Sequence, residues 1–124
     1  MERPSKSSAK VLFPIPDSVS DQQALCMLIQ GATAWHLLKT MGQLKEGQTV
    51  VIHAAAGGVG TIAIQLAKLW GGKVIAVTGN QKKAELAKSL GADEIVSAQE
   101  PELAKELLDK ILEYNPDVVC FSVV

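Results

Sequence analysis

The chain has 124 residues, of which 48% are hydrophobic and 20% are charged, and its formal net charge is −1. This length suits one modest domain, and the composition is that of a globular chain rather than a disordered one. The near-neutral charge leaves no electrostatic footprint for nucleic acid or an anionic membrane surface. No apolar run is long enough to span a bilayer, and the first residues do not form a signal peptide. We therefore expect a cytoplasmic protein that binds neither nucleic acid nor membrane.

The two cysteines, Cys26 and Cys120, are isolated from each other along the chain. We expect both to be buried as small apolar side chains, with no disulfide and no metal site. No group of His, Cys, Asp and Glu has the spacing of zinc ligands, and no Ser-His-Asp set can be argued. His53, which lies in a predicted strand, is more typical of hydrogen-bonded packing than of catalysis. We assign no catalytic and no metal-binding residue.

The first part of the chain predicts an entry segment and a long helix. Residues 1–16 are predicted to be extended, because two prolines remove hydrogen-bond donors that a central strand would need. Ser20 then offers a helix N-cap, and apolar residues recur at helical spacing as far as Met41. Gly31 interrupts this helix, which indicates either close packing or a break between two helices.

After this helix, apolar strand patterns alternate with helical patterns. Strands are predicted at 49–54, 73–78, 94–97 and 118–124, and helices at 58–70, 81–90 and from Pro101 to about residue 114. Right-handed crossovers between such strands give a parallel sheet with helices on its faces. We predict an α/β fold, a doubly wound, Rossmann-like parallel sheet truncated to about four strands in the order 3-2-1-4. Residues 17–124 then form a partial dinucleotide-binding domain.

A glycine-rich turn follows the first predicted strand. Its spacing, Ala55-x-Gly57-x-x-Gly60, is the dinucleotide fingerprint with alanine in place of the first glycine. Because Gly57 and Gly60 lack a Cβ, we expect an anion to approach the backbone and face the free N–H groups and the helix dipole. The alternative is a structural turn that binds nothing. The strand before the turn and the helix after it favour the cofactor site.

The end of the second predicted strand distinguishes between two cofactors. NAD sites place an acidic residue there to bond the ribose hydroxyls. Residues 78–81 read Thr-Gly-Asn-Gln, without an acid, and Lys82 and Lys83 follow. A carboxylate would repel a 2′-phosphate, whereas an ammonium group attracts it. The pattern favours a phosphorylated dinucleotide, with one of these two lysines as its contact.

Several stretches follow one another in the register of a known family. They are 30–38, 53–60, 65–68, 73–79, Lys83 and 87–93. Together they resemble the medium-chain dehydrogenase/reductase superfamily, and within it the quinone oxidoreductase (zeta-crystallin-like) group. The resemblance extends from about residue 15 to the end of the chain. It implies that the GroES-like catalytic lobe of a complete member, and about two further strands, are absent here.

This resemblance implies NADPH as the cofactor and a zinc-independent hydride transfer to a quinone or an α,β-unsaturated carbonyl. The predicted cofactor contacts are Thr33, Ala55, Ala56, Gly57, Gly58, Val59, Gly60, Gly79, Asn80 and Lys83. Because the substrate-facing residues of such enzymes lie mostly in the other lobe, we expect the isolated chain to be inactive. Two alternatives stay open: a non-catalytic nucleotide-binding or scaffold module, and the enoyl-reductase cofactor domain of a larger synthase.

The last predicted strand, Val118–Val124, forms an apolar edge. An edge strand presents unpaired backbone groups that invite pairing with another chain. We therefore expect self-association through this strand.

Overall fold

The structure, a computed structural model, describes residues 12–97, 109, 112–113 and 116–120. Residues 12–16 have no regular secondary structure and are exposed. The predictions for residues 1–11, for most of the helix that begins at Pro101 and for residues 121–124 lie outside the described residues. Residues 109, 112 and 113 of that predicted helix are helical.

Four strands form one parallel sheet in the order β3-β2-β1-β4, which confirms the predicted order. The strands are β1 (Thr49–Ile52), β2 (Lys73–Thr78), β3 (Glu94–Ser97) and β4 (Val118–Cys120). Helix α3 (Gly58–Leu69) connects β1 to β2, and helix α4 (Gln81–Ser89) connects β2 to β3. The strands are rich in valine and isoleucine, as expected for strands buried on both faces of a parallel sheet.

Alternate strand residues enter two apolar clusters on opposite faces of the sheet. On one face, Val50, Ile52, Val74 and Ala76 pack with alanine and isoleucine side chains of α3 and with Ala87 of α4. On the other face lie Val51, Ile75, Val77 and Val96. Because side chains of both helices belong to the first cluster, α3 and α4 lie on the same face of the sheet. Each of these helices follows the end of a parallel strand, so its N-terminus lies at the carboxyl edge of the sheet.

An aspartate fixes the register of each outer strand at its start. Asp93 donates its N–H to the Val74 carbonyl (2.9 Å) and accepts the Val74 N–H with its carboxylate (2.8 Å). Asp117 repeats this pair of bonds with Thr49 (2.9 and 2.8 Å). The Lys68 ammonium makes an ion pair with Asp93 at 3.0 Å. A one-residue slip of either strand would break these bonds and turn its side chains to the other face.

The first helix of the sequence is a continuous helical segment of alternating type. It consists of α1 (Asp21–Cys26), π1 (Met27–Gly31), α2 (Ala32–Trp35) and π2 (His36–Met41). Ser20 caps it in a capping box with Gln23, as its position predicts. Gly31 is helical (φ −65°, ψ −46°) and buried, and a Cβ there would lie 3.2 Å from the Met27 side chain. The helix is therefore not broken at this glycine, which is buried within it.

The burial predicted for Cys26 is wrong, because its thiol is exposed. Helix α1 has no buried residue, and Leu25 is 81% exposed. The helical segment contacts the rest of the domain through Gly31, Ala34 and Leu38, which share one face at helical spacing. The burial predicted for Cys120 lies outside the side chains that the structure describes. None of the helices within the described ranges has the length and apolar character of a membrane span.

Candidate cofactor-binding site

Strand β1 ends at Ile52, two residues earlier than predicted. The reason is Ala54, whose φ of 50° lies in the left-handed region and turns the chain out of the strand. The Ala54 carbonyl accepts the N–H of Gly57 at 2.9 Å, and the Ala55 N–H donates to the Val77 carbonyl at 3.1 Å. These bonds hold the turn against β2 at the carboxyl edge of the sheet.

Helix α3 begins directly after this turn with unused hydrogen-bond donors. Gly57, its N-cap residue, has no side chain to accept a bond, and the first helical bond is made by the Thr61 N–H to the Gly57 carbonyl. Within the part of the chain that the structure describes, the N–H groups of Gly58, Val59 and Gly60 have no acceptor. Three free donors at the positive end of a helix form a site for an anion.

The three glycines of the turn lack side chains for different reasons. A Cβ at Gly60 would collide with the Ala54 carbonyl oxygen and lie 2.7 Å from the Ala55 Cα, so this glycine lets α3 pack closely on the turn. The structure therefore gives Gly60 a packing role, and the predicted approach of an anion at this glycine stays a prediction. A Cβ at Gly57 would meet the Ala54 oxygen at 3.2 Å, whereas a Cβ at Gly58 would meet only the Gln30 side chain.

The alanines and the valine of the predicted set differ in exposure. Ala55 is fully buried in the core, so it offers a ligand its backbone and not its methyl group. Ala56 is half-buried, and Val59 is half-buried with its side chain packed against the core. Burial lowers the pKa of the His53 imidazole, which directly follows β1.

Residues Gly79, Asn80 and Lys83 lie where β2 passes into α4. A Cβ at Gly79 would contact nothing within 4 Å, so the space above it is open. The Asn80 side-chain oxygen accepts the Lys83 N–H at 2.8 Å and caps α4, which confirms the predicted cap. The Lys83 side chain is exposed and makes no ion pair with any residue the structure describes.

Thr78, the last residue of β2, is a feature that sequence reasoning missed. It is only 3% exposed, and its hydroxyl has no hydrogen-bond partner among the described residues. Buried hydroxyls without a partner are uncommon in proteins. This one lies at the carboxyl end of a strand, where doubly wound sheets bind ligands. The feature of the sequence that could have indicated this residue is its place as a polar residue at the end of a strand rich in apolar residues.

Thr33 lies on α2 rather than on the sheet. It is exposed, and its hydroxyl donates to the Ile29 carbonyl at 2.6 Å, one helical turn earlier. Gln30, three residues before Thr33, has its side chain against Gly58. Residues three apart share a helix face, so Thr33 belongs to the face that adjoins the glycine turn. The structure reveals Gln30 as an unpredicted neighbour of the turn, and the role of Thr33 at the cofactor stays a prediction.

Two further observations concern other kinds of site. Among the described residues, no three His, Cys, Asp or Glu side chains are grouped so that they could hold a metal ion. An apolar cavity of about 800 Å³ lies between residues 12–19 and the helical segment up to Ala32. Among the described residues that line it, Asp21 alone is charged, and its carboxylate would repel a phosphate group. The described residues therefore fit a dinucleotide at the glycine turn and fit neither a zinc ion nor a dinucleotide in the cavity.

A comparison with protein families decides the classification. Residues 58–124, which include most of the glycine turn, α3, β2 and α4, match the family described as zinc-binding dehydrogenase. The chain belongs to the zinc-binding dehydrogenase family. This places it in the medium-chain dehydrogenase/reductase superfamily and confirms the resemblance seen in the motifs.

Individual relatives of the chain include enzymes of two kinds. The chain is 35% identical over 114 residues to a phenolphthiocerol/phthiocerol polyketide synthase protein of Mycobacterium tuberculosis, which covers 92% of the chain and 5% of that protein. A structure of Escherichia coli quinone oxidoreductase complexed with NADPH has a TM-score of 0.69 and 35% identity, covering 78% of the chain and 30% of that structure. The CurK enoyl reductase has a TM-score of 0.77 and 31% identity, covering 94% of the chain and 35% of that structure.

These relatives confirm the Rossmann-like fold, and the chain matches only part of the length of each of them. The chain spans only 5% of the polyketide synthase and about a third of the two reductase structures. The relatives of this chain therefore include both a quinone oxidoreductase and an enoyl reductase.

Proposed function

We propose that this protein binds NADPH at the carboxyl edge of its sheet, as the cytoplasmic cofactor-binding part of a zinc-independent reductase. The supporting observation is the first turn of α3, where Gly58, Val59 and Gly60 offer three unused N–H groups next to an open edge. Such a turn suits the diphosphate of a dinucleotide. When bound, NADPH supplies the hydride, and the protein orients it.

Each part of the cofactor has a candidate partner along this edge. The N–H groups of the turn face the diphosphate, and the backbone of Ala55 and Ala56 lines it. The open space above Gly79, together with Asn80 and Lys83, suits the 2′-phosphorylated ribose. Thr33, on the helix face beside the turn, is the candidate at the nicotinamide end. Thr78, buried and without a partner among the described residues, lies between the diphosphate and ribose positions.

The choice of NADPH over NADH rests on charge. No acidic residue directly follows β2, so no carboxylate there repels a 2′-phosphate. The exposed ammonium group of Lys83 carries the positive charge that attracts this phosphate. A 2′-phosphate gains a charge-assisted hydrogen bond there, whereas NADH gains none. The complex of Escherichia coli quinone oxidoreductase with NADPH supports the same choice.

Two classes of compound are candidates for the hydride acceptor. A quinone is favoured by the likeness to quinone oxidoreductase, and an α,β-unsaturated thioester by the likeness to a polyketide synthase and to an enoyl reductase. We propose that neither reaction turns over on these 124 residues alone, because the motifs present bind the cofactor and none assigns an acceptor site. A non-catalytic nucleotide-binding module is the remaining alternative.

Calorimetric titration of the folded protein with NADPH and, separately, NADH tests the proposed function. We expect micromolar binding of NADPH and much weaker binding of NADH. No heat with either nucleotide, on a sample with a cooperative unfolding transition, would overturn it. Spectrophotometric assays of NADPH oxidation with a benzoquinone and with a crotonyl thioester then separate the two reductases from the non-catalytic module.

We also propose that the protein associates with itself through β4. This strand lies at the edge of the described sheet, where it pairs on one side with β1. Val119 is 41% exposed on it. Unpaired backbone and an exposed apolar side chain on an edge strand favour pairing with a second chain.

A further inference from the structure

Gln30 lies over the glycine turn, although nothing in the fingerprint requires it. A Cβ built at Gly58 would lie 2.5 Å from the Gln30 Nε2, 2.9 Å from its Cδ and 3.3 Å from its Oε1. The Gln30 carboxamide therefore packs directly on the Gly58 Cα. Gln30 is exposed, and its side chain makes no hydrogen bond to any of the described residues. An exposed, unbonded amide at an anion-binding turn is available to a ligand.

The local fold holds Gln30 in this position. It belongs to π1, and the following residue, Gly31, is buried. Segment π1 contacts α3, so the backbone that carries Gln30 is anchored beside the turn. Single-turn π-helical insertions in proteins often occur at functional sites, because the wider turn redirects a side chain.

Gly58 completes the arrangement from the other side. It is the first residue of α3, a position where alanine would be conformationally acceptable. The three atoms nearest to the built Cβ all belong to the flexible Gln30 side chain. The absence of a side chain at Gly58 therefore leaves room for the Gln30 carboxamide, rather than relieving backbone strain.

We propose that Gln30 is a further cofactor-positioning residue, whose carboxamide donates a hydrogen bond to the diphosphate. This inference rests on the proposed function, because it assigns a role at the same site. The carboxamide adds donors beside the N–H groups of Gly58 and Val59 without adding charge. A neutral donor carries a smaller desolvation cost than an ammonium group and keeps its geometry at all relevant pH values.

Substitution of Gln30 tests this role directly. Gln30→Glu keeps the shape but replaces the donor with a negative oxygen, and Gln30→Ala removes the group. We expect NADPH binding to weaken about tenfold in Gln30→Ala and further in Gln30→Glu, since hydrogen bonds to charged groups are among the stronger ones. Gln65→Glu, the same change on an exposed position of α3, is the matched control and is expected to bind as the unsubstituted protein does.

A smaller probe separates positioning from a structural effect. Adenosine 2′-monophosphate carries the phosphate expected at Lys83 but lacks the diphosphate. Its affinity, measured by NMR titration, is expected to be the same in both Gln30 variants. Equal weakening of both ligands, or a lowered midpoint of thermal unfolding in Gln30→Ala, would show a structural role and overturn the inference.

A double-mutant cycle provides a second, independent test of the role of Gln30. Gly58→Ala is expected to displace the Gln30 side chain and to weaken NADPH binding. In the Gln30→Ala background, the same change is expected to have little further effect, because the displaced group is already absent. Additive effects of the two changes would contradict the inference. If the unsubstituted protein does not bind NADPH, the proposed function fails; if it binds and the Gln30 variants bind equally well, the inference alone fails.

Discussion

At the scale of single residues, two adjacent exposed lysines allow a direct test of cofactor choice. Lys83 follows the cap of α4 by three residues, and Lys82 is its neighbour on the helix surface. We expect Lys83→Gln to weaken NADPH binding about tenfold through loss of one charge-assisted hydrogen bond, with NADH binding unchanged. Parallel calorimetric titrations with both nucleotides measure this difference.

Lys82→Gln is the control for Lys83, because it removes the same charge one residue away. We expect it to leave the ratio of the two affinities unchanged. If both variants lower the affinity for NADPH equally, the general positive charge of α4 attracts the cofactor. Lys83 then does not bind the 2′-phosphate specifically, and the prediction is wrong.

The lowered pKa of the Asp93 carboxyl group makes the free energy of unfolding depend on pH. Burial alone raises the pKa of its carboxyl group, but the hydrogen bond from the Val74 N–H and the interactions with Lys68 outweigh it, so the pKa lies below its usual value. The ionised group is therefore stabilising above the ordinary pKa of about 4, and this contribution is lost as the pH falls through the folded-state pKa. We expect urea unfolding to show this loss of stability.

The variant Asp93→Asn isolates this contribution. It loses the ion pair with Lys68, and we expect it to lower the free energy of unfolding at pH 7 by about 1 kcal/mol, because the pair is partly exposed. At pH 3 the difference from the unsubstituted protein should shrink. Asp17→Asn, on an exposed turn, serves as the control. An Asp93→Asn difference that persists undiminished at pH 3 would contradict the account.

At the scale of elements, the packing of α3 on the turn depends on Gly60. In Gly60→Ala the new methyl group meets the backbone of Ala54 and Ala55, which cannot move without disturbing β1. We expect a loss of about 1–3 kcal/mol in the free energy of unfolding, or failure to fold. Gly58→Ala, two residues away, meets only a flexible side chain and should stay within about 0.5 kcal/mol. Denaturant titration of both variants measures the contrast, and equal losses would contradict it.

Local chemistry made most elements predictable from the sequence. The strand patterns predicted β2 and β3 with the observed bounds, and the caps at Ser20 and Asn80 are confirmed. The end of β1 was placed too late, because nothing in a run of alanines shows which one takes a positive φ. Propensity cannot identify such a residue, since the conformation is imposed by the helix that packs behind it.

Long-range packing accounts for what the sequence did not show. The exposure of Cys26 follows from how the helical segment docks, and periodicity alone does not tell which of its apolar residues are covered. The contact between Gln30 and Gly58 joins two distant parts of the chain, and the unpartnered hydroxyl of Thr78 is visible only once its described neighbours are placed. The cofactor contacts rest on the fingerprint spacing and on the family resemblance, and they stay predictions.

At the scale of the whole molecule, β4 is the surface where association is expected. Val119 lies opposite Val51 in the register and is 41% exposed. We expect the unsubstituted protein to show concentration-dependent association by size-exclusion chromatography with light scattering, and Val119→Lys to reduce it, because a charge on an edge strand opposes pairing. A monomer at every concentration would contradict the expectation.

The central claim is that NADPH binds along the carboxyl edge of the sheet, and backbone amide NMR tests it most directly. Titration with NADPH should shift the amide signals of the glycine turn and of the start of α4, that is, residues 57–60, 79, 80 and 83. Titration with NADH should perturb the turn at higher concentration and affect Lys83 least. Shifts confined to the apolar cavity around residues 12–28, or none at saturating NADPH, would contradict the account.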